Sequence, residues 1–448
     1  MDAFTYTDGQ LMCEGAHAAA LAERFGTPLY VYSRATLEGH FDRLAAAFAP
    51  LSPLVCFSVK SCSNLHILRS LVARGAGLDV VSGGELARAR RAECPDERIV
   101  FAGVGKSREE IAAAMDPPIG WFNAESEQEL EAIAEVAAAR VSSASARVPR
   151  RTPRVALRVN PQVAPDVHAY TATGVKGAKF GVDFDEARRL FDRFGEGAAA
   201  RPAITLDGLH LHIGSPIYET GPYVEAIRGT LALIDDLAAR GHLVRSLNIG
   251  GGFGADYQSA RSPSARDYAE AIVPLLRERV ASGLRVLLEP GRTIAANAGI
   301  LLTRVRYTKT VPGPTGPKRI VIADAGMQTL IRPSLYGAFH FAWPTNPGAG
   351  LVPARRAEDP GLPGLTRADL VGPICESGDF LAKDRLLPPL APGDLVAVFT
   401  AGAYGMTMAS NYNSHPLPAE VLVEGSTARL IRRRQTIEEM LAAEAESL

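Results

Sequence analysis

Lys60 stands directly after a β-rich run in CFSVKSCSNL, and it is one of only seven lysines beside 41 arginines in a chain of 448 residues. Burying an ammonium costs several kcal/mol unless it is paired or neutral. A lysine that ends a buried strand is therefore either a reactive amine or one whose head reaches solvent. Three further segments carry reactive groups. GLHLHIGS places His210 and His212 two apart, on one face if the run is a strand. They suit a satisfied core pair or a flat imidazole beside a ligand; as a metal pair they lack a carboxylate or third histidine at ligand spacing. NIGGGFG offers Gly250, Gly251 and Gly252, whose backbone N–H groups could approach an anion. LLEPGR supplies Glu289 and Arg292, where the carboxylate could equally cap a helix or pair with an arginine.

The elements that must position these groups are β-rich runs alternating with amphipathic helical stretches. The runs are Leu54–Val59, Asp79–Val81, Ile99–Ala102, Gly120–Asn123, Val155–Val159, Leu206–Ile213, Ser246–Ile249 and Val286–Glu289. Helical patterns between them include Asn64–Arg74, Gly84–Ala92, Ser126–Arg140, Tyr223–Arg240 and Asp267–Val280. Eight such units predict an α/β fold of the (β/α)8 barrel type, with an open doubly wound sheet as the competitor. After Glu289 the texture changes to strands and turns: Ile300–Thr310, Arg319–Ala323, Leu395–Phe399, Ala419–Val423 and Ala428–Arg433, then a helix at Thr436–Ala443. This predicts an all-β C-terminal domain, joined by the opening strands Phe4–Tyr6, Gln10–Cys13 and Leu29–Tyr32. The expected boundaries are 1–34 for those strands, 35–295 for the barrel and 296–448 for the β domain. Val141–Arg154 and Val311–Lys318 read as linker-like inserts.

Composition excludes other classes. Lys+Arg 48 against Asp+Glu 49 gives a net charge of -1, with no basic field for nucleic acid or an anionic membrane. Two long uncharged stretches, Pro333–Ala354 and Leu395–Ala419, are broken by Pro, Gly and Asn and cannot span a bilayer as helices. Five cysteines without a CxxC pair indicate neither a disulfide framework nor a zinc site. MDAFTYTDGQ has no signal-peptide pattern. The expectation is a cytoplasmic protein without a metal.

In a barrel of this type, catalytic groups sit at the C-terminal strand ends. Lys60, a histidine, the glycine loop and Glu289 would share that mouth. The combination suits pyridoxal phosphate: an amine for a Schiff base, an imidazole against the ring, glycines for phosphate and a carboxylate for the pyridine nitrogen. A sugar-phosphate barrel enzyme without that cofactor remains open on these residues alone.

In their order along the chain, FSVKSCSNLHIL, GLDVVSGGEL, RVNP with TGVKGAKFG, GLHLHIGS, NIGGGFG, EPGRTIAANAG, IRPSLY, CESGDFLAKDR and GAYGMTMASNYN resemble the motifs of fold-type III pyridoxal phosphate decarboxylases, most closely the diaminopimelate decarboxylases. The resemblance implies that Lys60 carries the cofactor and His212 stacks on its ring. Asp79 would lie near the lysine. Ser215, Gly250, Gly251, Gly252 and Tyr404 would hold phosphate, and Glu289 would hold the pyridinium. Arg292, Arg332 and Tyr336 would bind substrate carboxylates. It also implies a homodimer in which Cys375 and Glu376 enter from the partner subunit, Cys375 protonating the carbanion. Ornithine decarboxylases of this fold carry an aspartate after the tyrosine of the IRPSLY segment; here Gly337 follows, with Arg332 four residues before Tyr336. An arginine suits a distal carboxylate and Glu376 a distal ammonium, which together describe meso-diaminopimelate, decarboxylated to L-lysine. Other fold-type III decarboxylases, acting on ornithine, lysine, arginine or a carboxylated polyamine, are the alternative, and a non-catalytic relative a further one. SVKSCSN and His66 depart from the commoner family wording beside the lysine.

Overall fold

The computed structural model describes residues 2–142, 152–166, 168, 173–174, 177, 179–196, 203–258, 262–313, 316–348, 350–352 and 360–445. The chain divides into two compact units. One comprises 41–254 and 263–291; the other comprises 1–40, 255–262 and 292–448.

The first unit is a closed parallel barrel of eight strands: Leu54–Ser58, Gly77–Val80, Ile99–Phe101, Trp121–Ala124, Arg154–Arg158, Thr205–His210, Ser246–Asn248 and Arg285–Leu288. Closure is made where Leu287 stands opposite Leu54. All eight expected runs are these strands, in order. Their residues are buried almost throughout, as parallel strands covered on both faces require. The helices between them start where side chains can satisfy orphan N–H groups: Asn64, Ser82, Ser107, Asp183 and Ser264 each accept one at a helix N-terminus.

The second unit is built on a nine-stranded mixed sheet among the described residues. Leu29–Ser33 pairs antiparallel with Gly299–Gly313 and parallel with Ala419–Glu424, so this N-terminal strand does join the C-terminal β structure. Phe4–Thr7 and Gln10–Cys13 differ from expectation, forming their own small antiparallel sheet with Ala16–His17. The supposed insert Val311–Lys318 is a hairpin instead. Gly299–Gly313 and Gly316–Ala323 stay paired down to Gly313 opposite Gly316, and Pro312 and Pro317 are tolerated there because they lie beyond the residues that pair with further strands. Residues 143–151 of the other insert, and Lys176 in the TGVKGAKFG motif, lie outside the described residues. Ala16–His17 had not been anticipated, nor had three strands of the nine-stranded sheet: Ala342–Pro344, Thr366–Val371 and Phe380–Leu387. All five cysteines are free thiols, four of them buried and Cys375 exposed. Among the described residues no helix is long and apolar enough to cross a membrane, and no cluster of His, Cys, Asp or Glu is arranged to hold a metal.

Candidate active site

At the C-terminal ends of the barrel strands the buried side chains turn polar. Lys60 lies in a short turn, Val59–Ser61, just past strand one. Its Nζ donates to Asp79 Oδ2 at 2.8 Å, and Ser58 Oγ donates to the same oxygen at 2.5 Å. Asp79 is fully buried, and its Oδ1 has no hydrogen-bond partner among the described residues. Burial, and then the nearby charge of Glu289, push the Asp79 carboxyl up.

Glu289 follows strand eight. Its Oε1 accepts from Asn123 Nδ2 at 2.9 Å and Asn248 Nδ2 at 2.6 Å, while Oε2 stands 3.2 Å from His210 Nε2 as an ion-pair contact. Burial alone would raise this carboxyl. His210, Lys60 and the Asn248 amide together outweigh it and hold Glu289 well below the usual carboxylate range. A carboxylate kept ionised in a dry interior is the partner a cationic ring nitrogen needs.

The two histidines do not act as one face of a strand. Strand six ends at His210, and His212 lies beyond it. His212 Nδ1 accepts from the Gly251 N–H at 3.2 Å, which places the imidazole proton on Nε2. Burial, with the charges of Arg158 and Lys60, holds the ring neutral. Arg158 also donates to the His212 carbonyl at 3.4 Å and pairs with buried Glu125 at 2.9 Å.

The glycine loop is tighter than its sequence suggested. Gly250 and Gly252 have φ of +70° and +94°, and a Cβ at 250, 251 or 252 would run into the carbonyl oxygens of Leu211, Glu289 and Gly214 respectively. The expectation that all three N–H groups face an anion needs correction. Gly250 donates to Asn248 Oδ1 at 2.9 Å and Gly251 to His212, which leaves Gly252 as the one of the three without a protein acceptor among the described residues. Ser215 stands in the neighbouring loop, which the Ile217 N–H to Gly252 carbonyl bond (2.8 Å) ties to the glycines.

Lys60 is not the only lysine at this end of the barrel. The Lys106 side chain is fully buried beyond strand three and donates to the Gly103 and Asn123 carbonyls and to Glu129 Oε1 at 2.7, 2.8 and 2.5 Å. Through the Asn123 backbone it braces the strand that delivers an amide to Glu289. Lys106→Ala leaves Glu129 buried without its cation and is expected to destabilise the protein by about 3–5 kcal/mol. A urea denaturation midpoint equal to the wild type's would contradict this.

The other candidate residues belong to the second unit. Arg292 and Arg332 are both buried. Arg292 Nη1 donates to Tyr257 Oη at 2.8 Å, and its guanidinium lies 4.9 Å from the Tyr404 ring centre. Tyr404 holds φ +56°, left-handed for a non-glycine residue, the kind of strain that concentrates at functional sites. Tyr336 ends the short helix Arg332–Tyr336, and Gly337 closes it with φ +60°. A left-handed cap is thus a backbone reason for glycine at that position. Cys375 and Glu376 are exposed in the single chain. Both the backbone N–H and the Sγ–H of Cys375 donate to Asn413 Oδ1 at 3.3 Å, and Tyr412 Oη donates to Glu376. Asp379 shapes this loop, accepting from the Met327 and Ile374 N–H groups at 2.6 Å. Asn123, Asn248, His210, Tyr257, His340 and Asn413 were not anticipated as partners of the candidate residues.

Comparison with known proteins agrees with this architecture. Residues 34–296 match the family of the pyridoxal-dependent decarboxylases through its pyridoxal binding domain. Diaminopimelate decarboxylase of Pseudomonas aeruginosa is 45% identical over 445 residues, covering 99% of each chain. That of Aquifex aeolicus is 42% identical over 96% of this chain and 94% of its own. The structure of Helicobacter pylori diaminopimelate decarboxylase complexed with L-lysine superposes with a TM-score of 0.84 at 35% identity, over 96% of this chain and all (100%) of that one. The chain belongs to the pyridoxal-dependent decarboxylases and, within them, to the diaminopimelate decarboxylase family.

Proposed function

We propose that the protein removes one carboxyl group from meso-2,6-diaminopimelate as CO2 and leaves L-lysine, using pyridoxal phosphate, as a cytoplasmic enzyme. The observation that carries this reading is the buried Glu289 carboxylate, held ionised by His210, Lys60 and Asn248, in the same barrel interior as the Lys60–Asp79 contact. The residues fit the cofactor. The Lys60 side chain is 39% exposed and reachable, and Asp79 Oδ1 is a buried acceptor without a partner among the described residues. When bound, pyridoxal phosphate supplies an aldehyde for amines and a ring that accepts the electrons released as CO2 departs.

The chain's own groups divide the remaining work. Lys60 must shed a proton to be nucleophilic, and Asp79 Oδ2, 2.8 Å away and made more basic by burial, takes it. Glu289 would hold the proton of the cofactor's ring nitrogen, and Asn123 and Asn248 fix the plane of its carboxylate. Neutral His212 would pack on the ring face without adding charge. Gly252, Ser215 and Tyr404 bind the phosphate, with Gly250 and Gly251 shaping its cradle. Arg292, Arg332 and Tyr336 bind carboxylates of the substrate, and Glu376 takes its distal ammonium. Cys375 delivers a proton from Sγ to the substrate's Cα. Because Cys375 and Glu376 are exposed in the single chain, we assign them to the site of a partner subunit in a homodimer.

Glu289→Gln is expected to reduce CO2 release roughly 100-fold, the scale on which a single positioned electrostatic group acts. It has a second, cofactor-free readout. A carboxyl whose folded pKa is depressed stabilises the fold above its unfolded pKa of about 4.3, and that stability is lost as pH falls through the folded value. The apoenzyme of Glu289→Gln should therefore lose less stability than wild type on acidification below about pH 4.3. Parallel acid unfolding curves would argue against an ionised Glu289. The function itself is tested by product analysis: holoenzyme given meso-diaminopimelate should form L-lysine and CO2 in equal amounts. Any other amine product overturns it.

A further inference from the structure

The two buried arginines of the second unit are each held by an aromatic side chain, and the two holders touch each other. His340 is fully buried, with Nε2 2.9 Å from Arg332 Nη1 and Nδ1 2.9 Å from the Phe399 carbonyl oxygen. A guanidinium only donates, so Nε2 accepts from it and the imidazole proton sits on Nδ1, donated to Phe399. Burial and the adjacent Arg332 charge push His340 down to about 3, which keeps it in that neutral form. Tyr257 accepts from Arg292 Nη1 at 2.8 Å, and its ring centre lies 4.9 Å from the Arg332 guanidinium. The two rings meet edge to face, 5.5 Å apart at 89°. Both guanidinium directions are thus set by one rigid pair of rings. Neither holder is a carboxylate, and an aspartate or glutamate in either place would cancel the charge that an anionic ligand is to meet.

We propose that His340 and Tyr257 are positioning residues that give the enzyme its selectivity for a substrate with a second carboxylate, by fixing the Arg332 and Arg292 guanidiniums. This rests on the reading in which those arginines bind the substrate's carboxylates. Loss of either holder loosens the direction of a guanidinium without removing its charge, so the cost falls on binding a dicarboxylate rather than on the chemical step.

The test compares wild-type holoenzyme with His340→Leu, His340→Gln and Tyr257→Phe. Glutamine can still accept from Arg332 through its carbonyl and donate through its amide. For each protein, kcat and KM are measured with meso-diaminopimelate, and inhibition is measured with pimelate, a seven-carbon dicarboxylate, and with hexanoate, a monocarboxylate. His340→Leu and Tyr257→Phe should raise KM and weaken pimelate roughly tenfold, with kcat within about threefold and hexanoate inhibition unchanged. His340→Gln should return to within about threefold of wild type. Unchanged KM and pimelate inhibition in Tyr257→Phe and His340→Leu would overturn the proposal. So would equal weakening of pimelate and hexanoate, or a fall in kcat alone. If His340→Leu does not fold, Tyr257→Phe decides by the same criteria. Wild-type enzyme that releases no CO2 from meso-diaminopimelate would overturn the functional reading, while the two inhibitors, measured as binding, still judge the role of His340 and Tyr257.

Discussion

Lys60→Ala is expected to lower CO2 release by roughly ten-thousand-fold or more, the scale lost when a residue acting through a covalent bond is removed. Two effects add. The amine proposed to tether the cofactor disappears, and Asp79 loses the cation opposite its Oδ2. Asp79 is fully buried, and its carboxyl is already pushed up by burial and by Glu289, so the variant should bind its proton more readily still. The visible absorption band of lysine-bound cofactor should vanish with the activity. Retention of both band and rate in Lys60→Ala would end the assignment. Lys106→Ala serves as the control: Lys106 is buried and fully engaged in structural contacts, so that variant should lose stability and keep the band.

Cys375→Ala is expected to reduce the rate about a thousandfold, the middle of the range for a positioned general acid. The thiol donates to Asn413 Oδ1 at 3.3 Å, which aims its proton from a loop anchored by Asp379. The exposure of Cys375 gives this prediction a second arm. If the thiol serves a partner's site, neither Cys375→Ala nor Lys60→Ala has a working site in its own homodimer. A mixed dimer has one. Mixing the two inactive variants under conditions of subunit exchange should then restore about a quarter of wild-type activity, from random pairing in a twofold dimer. Activity no higher than that of the separate variants would contradict a shared site.

The barrel was legible because its strands are short apolar runs that end in polar residues, and the polar ends are where chemistry gathers. Ser58, Asp79, Arg158 and Glu289 all mark such ends. Harder to read were elements whose patterning is mixed. Thr366–Val371 and Phe380–Leu387 carry charged residues inside the strand, and bulges break their register at Ala368/Leu370 and Leu370/Val371. Val311–Lys318 is rich in proline and glycine, yet pairs to the tip of a hairpin. The glycine loop shows a different limit. Its sequence announces a backbone without side chains, but only the fold reveals that Gly250 and Gly251 spend their N–H groups orienting Asn248 and His212. Likewise Lys60 and Glu289 stand out by type and place, whereas Asn123 meets Glu289 across 166 residues of sequence. His340 meets Phe399 across 59. Candidate reactive groups can be found from local context; the neutral residues that fix their protonation and direction cannot.

L-Lysine differs from diaminopimelate by the absence of one carboxylate, so the ratio of kcat/KM for CO2 release from the two isolates what the arginines contribute. A site built to hold a charged group rejects an analogue lacking it by roughly 10^4-fold or more. The wild-type holoenzyme should therefore favour meso-diaminopimelate over L-lysine by about that factor. A ratio near or below one would contradict the assignment of substrate and of Arg292 and Arg332 together.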